Sequence, residues 1–430
     1  MKLQLLTLTS LFSISLIFSG CGDQLNTKSR TTKYRPSLSK KTGFFIDSGV
    51  EGSNYTRLSG TSDITGKGGS YTYNYGETIT FKIGNLVIGE TLALGTVTPK
   101  EIVSFENLEL NTSINAPDVN NRVRMLMSLD SDGIAANGIE INTTIQTISQ
   151  NWSTPDYSLP EANFTDSLRV ATNNYPMNIV SKNDAKLHFE KTLRCVYSGA
   201  YRGSWVLPSG GKEGFVGILI QADGAIIALG DGQDTNGDGD PSEVLYASGT
   251  HNMDTGRYDF NETYEFDTNQ GRIVGSDLNI SGDGSSNGYL QVAGTFEQNG
   301  IVGSYNAFRV GEGTNVSYRY SGFGYLNNDG SPDDANDSIL GLFTFDINRD
   351  GSIIGMIHDA RTNEEPDLVG DINFTTNIVN ISVESGAGHT LNGTIDFNDI
   401  NSSLYLEWDD NSSNKLGYIK GIGCQLQTHD

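Results

Sequence analysis

The chain has 430 residues, 28 Lys and Arg against 52 Asp and Glu, and a formal net charge of −24. That balance excludes nucleic acid as a partner, because phosphate binding needs a basic surface, and it excludes an electrostatic grip on anionic lipid. The 51 Gly, 19 Tyr and 18 Phe, set against 6 Met, describe many short strands joined by tight turns, in a chain long enough for two or three cores.

Lys2, an apolar run from Leu3 to Phe18 and the small pair Ser19-Gly20 read as a secretory signal peptide over residues 1–20. The run falls short of the roughly 20 apolar residues that a spanning helix needs. Phe18-Ser19-Gly20-Cys21 resembles a bacterial lipoprotein signal, with Phe18 where that pattern usually has Leu, Val or Ile. The resemblance implies cleavage before Cys21, diacylation of its sulfur, and a membrane contact made through that lipid anchor. Gly22 is not the Asp that commonly retains such lipoproteins in the inner membrane, which implies the outer membrane, on its periplasmic or extracellular face. Residues 21–42 are polar, carry Lys28, Arg30, Lys33, Arg35, Lys40 and Lys41, and read as a flexible tether.

Residues 43–116 read as a small β-sandwich. Tyr71, Tyr73 and Tyr75, then Ile79, Phe81 and Ile83, alternate with period two, and Gly76-Glu77 between them predicts a hairpin turn. Leu86, Ile88, Leu92 and Leu94 extend the pattern. Val50-Glu51-Gly52, Ser62-Asp63, Gly66 and Tyr71-Thr72-Tyr73 resemble carboxypeptidase regulatory-like or collagen-adhesin B-type sandwiches, with Ser62 where those modules commonly have Thr. That resemblance implies a non-catalytic spacer in a surface protein.

Residues 117–194 predict a helical connector. Asp118 is expected to cap a helix with Val119, Val123 and Leu126 on its apolar face, ended by a turn at Asp130 and Asp132. Ile141, Ile145, Ile148 and Trp152 follow at helical spacing up to Pro155, and Asp184 to Arg194 predicts a third helix with Leu187 and Leu193 inward. The runs Val119 to Asp132 and Leu187 to Cys195 resemble segments of uncharacterised lipoproteins and surface proteins of Gram-negative bacteria, which implies a location and no reaction.

Residues 195–430 carry a diverged repeat. Tyr197-Ser198-Gly199 recurs as Tyr320-Ser321-Gly322. Ile218 to Ile220 before Asp223-Gly224 recurs as Phe343 to Phe345 before Asp350-Gly351, and Gly294-Thr295-Phe296 resembles Gly393-Thr394-Ile395. The expected fold is mainly β, ending in a two-repeat antiparallel barrel or sandwich, which leaves few bare edges. Cys195 and Cys424 remain as a pair in an oxidising compartment, so a disulfide is expected and two buried thiols are the alternative. It would tie first strand to last and close a loop of about 230 residues, for which chain entropy allows roughly 5 kcal/mol at most.

One loop carries the strongest chemical signal. Asp234, Asn236, Asp238 and Gly239 match positions 1, 3, 5 and 6 of a calcium loop, and Asp240 and Glu243 can complete a looser oxygen shell, although position 12 is Leu245. Calcium is therefore the one expected cofactor, with a solvated acidic loop as the alternative. Asp346-Ile-Asn348-Arg-Asp350-Gly351 has similar spacing but reads as a strand ending in an Asp-Gly turn, and Asp329, Asp333, Asp334 and Asp337 form an acidic loop without defined spacing. No histidine pair has zinc spacing and no Gly-x-Ser-x-Gly elbow occurs. His358-Asp359 with Glu364-Glu365 is the one acid–base grouping near in sequence, and it reads more readily as surface polar residues of a strand and the loop after it. Trp152, Trp205 and Trp408 read as core anchors. The leading function is a non-enzymatic surface binding or adhesion-type module with an unidentified protein or glycan ligand. A barrel holding a small ligand is the alternative, and an envelope hydrolase a weaker one.

Overall fold

The period-two alternation around Tyr71 and Phe81 builds the first layers. Eight short strands arise: β1 (Lys41–Phe45), β2 (Val50–Glu51), β3 (Asn54–Arg57), β4 (Ser62–Ile64), β5 (Ser70–Tyr73), β6 (Thr78–Ile83), β7 (Leu86–Leu92) and β8 (Thr96–Val97). They make a four-stranded sheet in the order β4-β3-β6-β7 and a three-stranded sheet in the order β5-β1-β8, where β1 and β8 run parallel. Ile79, Phe81, Ile83, Tyr71 and Tyr73 are buried in one core, and Phe45 of one sheet stacks on Phe81 of the other at 4.3 Å. The predicted hairpin at Gly76-Glu77 is instead a crossing between sheets, because β5 and β6 do not pair. Tyr75 lies on that crossing and is exposed. This computed structural model describes residues 40–109, 112–208, 213–231, 244–267, 271–274, 279–285, 289–298, 301–311, 315–326, 338–359, 365–384, 388–397, 403–409, 415–427 and 429.

Helices cover this sandwich. Thr98 and Glu101 form a capping box, with Pro99 at the first helical position, so α1 (Pro99–Asn107) starts inside the region read as purely β. α2 (Pro117–Ser128) begins at Pro117, so Asp118 lies in its first turn and does not cap it. There Asp118 faces the positive end of the helix dipole. Val119, Val123 and Leu126 are buried as expected. So are two arginines: Arg122 donates to the Ile88 carbonyl at 2.7 Å, and Arg124 to that of Val180 at 2.9 Å. After the short strand β9 (Ile139–Glu140), which pairs with β2, come α3 (Thr143–Ile148), capped by Asn142, α4 (Glu161–Ala171) and α5 (Lys182–Tyr197), capped by Ser181. Leu193 of α5 is buried, but Leu187 is half exposed, on the solvent side of the helix. Leu126, Ile145, Trp152, Phe164 and Leu168 share one core with Phe45 and Phe81.

The chain from Gly199 onward forms two closed eight-stranded antiparallel barrels, one for each repeat. The first comprises β10 (Gly199–Val206), β11 (Glu213–Ile220), β12 (Ala225–Asp231), β13 (Val244–His251), β14 (Arg257–Asp267), the interrupted strand β15 (Gly271–Val274) and β16 (Asn279–Ser285), β17 (Gln291–Gln298) and β18 (Ile301–Arg309). β10 pairs with β18 to close it. Inside, the Tyr305 hydroxyl donates to that of Tyr258 at 2.7 Å. Gly282 and Gly294 leave the space for these rings, since a Cβ at either position would strike a tyrosine hydroxyl. The second barrel comprises β19 (Val316–Leu326), β20 (Ser338–Asn348), β21 (Ser352–Asp359), β22 (Asp367–Asn373), β23 (Ile378–Val383), β24 (His389–Thr394), β25 (Ser403–Asp409) and β26 (Lys415–Gln425), closed by β19 on β26. One apolar cluster that includes Phe343, Phe345, Ile353, Leu368, Ile381, Leu391, Leu406 and Ile419 fills it. The second repeat match falls on equivalent strands and turns of the two barrels, whereas in the first Tyr197 and Ser198 end α5 and only Gly199 enters β10, while Tyr320 to Gly322 lie within β19. The third match does not fall on equivalent strands, because Gly294 sits on the seventh strand and Gly393 on the sixth.

The barrels meet through their outer faces. Ala200, Leu219, Ile227 and Leu229 of the first pack with Leu342 and Phe323 of the second, so β11 is apolar on both faces. Cys195 and Cys424 are bonded, with Cα atoms 5.4 Å apart. Cys195 lies in the last turn of α5 and not in a strand. The bond therefore joins the helix entering the first barrel to the closing strand of the second, and does not tie first strand to last of one barrel. Beside it, Arg319 grips Asp346, its direct partner across β19 and β20, through Nε–Oδ1 at 2.7 Å and Nη2–Oδ2 at 2.9 Å, and donates to the Cys195 carbonyl at 3.2 Å. Both side chains are buried.

Two outcomes follow for thermal melts of the protein. Reduction is expected to lower the melting temperature, with a ceiling of about 5 kcal/mol set by the closed loop, and an unchanged melt would show that the bond contributes nothing. Asp346→Asn leaves the Arg319 charge buried without its counterion and is expected to cost about 3–5 kcal/mol. A loss below 1 kcal/mol would show that water reaches the pair.

Candidate functional site

A cleft of about 380 Å³ opens where the sandwich, the end of α5 and both barrels come together. It follows from local structure in each part. β1 brings Lys41 and Thr42, the turn after it Gly49, β18 Arg309, β19 Arg319, and the segment after β26 brings Gln427. Arg309 lies over the Tyr201 ring at 5.2 Å and donates to its hydroxyl at 2.6 Å and to the Val196 carbonyl. Lys41 is exposed, 5.4 Å over the Tyr75 ring. Gln427 Nε2 donates to the Asn315 side chain at 3.1 Å and the Val316 carbonyl at 3.0 Å. Among the described residues, the lining carries three cations, Thr42, Thr96, Tyr73 and Gln427, and no carboxylate, His, Ser or Cys. Such a wall can hold an anionic group and orient it. It offers no nucleophile–base pair.

The acid–base grouping read from the sequence lies elsewhere, in the seam between the barrels. His358 Nδ1 is 3.4 Å from Glu365 Oε1, and Glu365 also pairs with Arg202 of the first barrel. The His358 ring stacks on Phe215 at 4.2 Å and is buried. Burial raises the Glu365 carboxyl above its ordinary value, with Arg202 pulling against that shift. The group thus joins two barrels by packing and charge. The Asp359 side chain and Glu364 lie outside the described residues.

A second histidine is coupled to a buried carboxylate. His188 of α5 reaches Asp47 at 3.2 Å and the Ser48 hydroxyl at 3.3 Å, both through Nε2. A serine–histidine–aspartate relay needs the two ring nitrogens separately, one for each partner, so this contact is a clamp between the turn after β1 and α5. At the mouth of the first barrel, the buried Lys100 donates to the Tyr197 hydroxyl at 3.1 Å, while Tyr289 donates to Glu101. Burial pushes the Tyr289 hydroxyl well above its ordinary value, and the Glu101 charge adds to that. These groups close the barrel end beneath α1 and α5.

The remaining sequence-derived sites are placed as follows. Asp234, Asn236, Asp238, Asp240 and Glu243 of the calcium loop lie outside the described residues, as do Cys21 and the acidic loop at Asp329, Asp333, Asp334 and Asp337. Asp346 is bound to Arg319, and Asp350 accepts the Ser352 hydroxyl at 2.6 Å in the Asp-Gly turn, as the strand-and-turn reading required. Trp152 is buried, Trp205 packs edge-on against Phe296 at 5.9 Å, and Trp408 packs against the second barrel's core. Among the described residues, no group of three His, Cys, Asp or Glu is gathered as a metal site, and no helix is long and apolar enough to cross a membrane. The cleft itself was missed because its lining comes from positions as far apart as 41 and 427; only the exception of cations in an acidic chain hinted at it. No protein family matches the chain, and no curated protein matches it.

His188 gives a pH signature. Burial lowers its basicity, but the Asp47 charge and hydrogen bond outweigh burial, and the net shift is upward from 6.5. Its contribution to stability is then complete below pH 6.5 and is lost as pH rises through the higher folded-state value. Wild type should therefore lose melting temperature between pH 6 and 9 more steeply than His188→Gln, whose curve lacks this component. Parallel curves would show that the ring does not carry the charge.

Proposed function

We propose that this chain is a lipid-anchored protein of the bacterial outer membrane, acting as a non-enzymatic surface binding module of adhesion type, and that it takes an anionic group in the cleft between its sandwich and barrels. The observation that carries this reading is the cleft wall: Lys41, Arg309 and Arg319 line it with no carboxylate among the lining residues, and although Asp346 neutralises Arg319 from outside the lining, the wall stays cationic in a protein of net charge −24. An overall negative surface repels anions, so a cation-lined recess is the place where an anion gains most by leaving solvent. The ligand chemistry that fits is a compact acid, such as the carboxylate or sulfate of an acidic glycan. Calcium, bound in the loop from Asp234 to Glu243, would stiffen the first barrel. Lipidation at Cys21 would anchor the module, with residues 21–42 as its tether. The filled interior of the second barrel favours the cleft over a barrel mouth as the ligand site, and the packing of His358 beneath Phe215 favours binding over hydrolysis.

Calorimetric titration of the mature protein with uronate- and sulfate-bearing oligosaccharides tests the site. Lys41→Glu, an exposed change, is expected to weaken binding about tenfold, or about 1.4 kcal/mol, and added salt to weaken it further. Binding that ignores both changes would move the ligand elsewhere, and no binding would remove this ligand class. Protease shaving of intact cells tests the location: loss of the protein places it outside, and protection until the outer membrane is opened places it in the periplasm.

A further inference from the structure

The turn after α2 holds two carboxylates, and one oxygen of the inner one is buried without a donor among the described residues. Asp130 is only 9% exposed. Its Oδ1 accepts the Glu140 backbone N–H at 3.0 Å, while its Oδ2 is fully buried and has no hydrogen-bond partner among the described residues. The carboxylate that it meets is Asp132, which lies within hydrogen-bonding reach. Two carboxylates are acceptors only, so ionised they repel. Burial first, and then Asp132, push the Asp130 carboxyl up to about 6. A buried acceptor without a donor is costly, and two facing ones call for something positive between them.

The surroundings fit a hard cation. Asp132 is held by the Ile134 backbone N–H at 2.8 Å and by the Asn137 amide at 2.7 Å. Gly133 between them adopts the left-handed conformation with φ 73°, which sharpens the turn. Asp130, Ser131 and Asp132 line a recess of about 350 Å³ together with Asn142, Asn178 and Tyr175. Tyr175 packs on Trp152 at 5.5 Å. We infer that Asp130 and Asp132 form a calcium site, independent of the loop from Asp234 to Glu243, with backbone carbonyls, the Asn137 amide oxygen and water completing the oxygen shell. Calcium takes six to eight oxygens and tolerates irregular geometry, and a site with two carboxylates falls in the weak class, with a dissociation constant of about 10⁻⁴–10⁻³ M.

The site joins three elements, since Asp130 ends α2 and Glu140, whose N–H it receives, lies on β9, which pairs with β2. Calcium is therefore expected to raise the melting temperature of the mature protein at millimolar concentration. Terbium in its place should luminesce on excitation of Trp152 and Tyr175. Asp130→Asn and Asp132→Asn should each abolish the luminescence sensitised by Trp152 and Tyr175 and reduce the calcium gain to what the loop from Asp234 to Glu243 supplies, while Asp238→Ala leaves that luminescence in place. In chelator, Asp130→Asn should melt no lower than wild type, because it removes one of two facing charges, and this confirms that the variant folds. Three results would overturn the inference: no calcium gain in wild type, a gain that both asparagine variants leave undiminished, or luminescence abolished only by Asp238→Ala. A melting curve that responds to pH near 6 and not to calcium would assign the pair a shared proton instead.

Discussion

The last turn of α5 is where the molecule is held together. Within four residues, the Cys195 sulfur bonds to the final strand, its carbonyl accepts from Arg319, the Val196 carbonyl accepts from Arg309, and the Tyr197 ring closes the mouth of the first barrel. A helix C-terminus leaves its last carbonyls without internal partners and carries partial negative charge. Here two arginines, one from each barrel, take up that role. Arg319 is itself neutralised by Asp346 directly across the ladder, so the second barrel brings its cation already paired. The orientation of both barrels is thereby set by one short stretch of backbone, and the apolar seam of Leu219, Leu229, Leu342 and Phe323 then excludes water from their contact.

Much of the β architecture was legible because alternation and Asp-Gly turns are local. Ile79, Phe81 and Ile83 face the core as their period required, and the repeat located the second and third strands of each barrel. What escaped was non-local. Closure of each barrel depends on first-to-last pairing, β10 with β18 and β19 with β26, across about 100 residues, and no local pattern encodes that partner choice. Gly-Thr followed by an apolar residue recurs too cheaply to mark equivalent strands, which is why Gly294 and Gly393 fell out of step. The crossing at residues 74–77 was misjudged for a related reason: the same alternation serves two strands of one sheet or two sheets face to face.

Charge told a similar story. Asp346 stood out in the sequence as the first position of a second calcium-like run, yet its neighbour across the ladder decides its role, and that neighbour is 27 residues away. Asp130 and Asp132 looked like an ordinary helix-ending turn, and the burial of Asp130 is what singles the pair out. The cleft wall carries Lys41, Arg309 and Arg319 and no carboxylate, so its local charge differs in sign from that of the chain as a whole.

The separation of the two cysteines has a consequence for synthesis. They lie 229 residues apart, and the second sits on the strand that completes the second barrel. The chain is made from its N-terminus, so Cys195 exists 229 residues before its partner does. The crosslink cannot form before the last strand of the second barrel has been made, and a product truncated ahead of Cys424 carries Cys195 without its native partner.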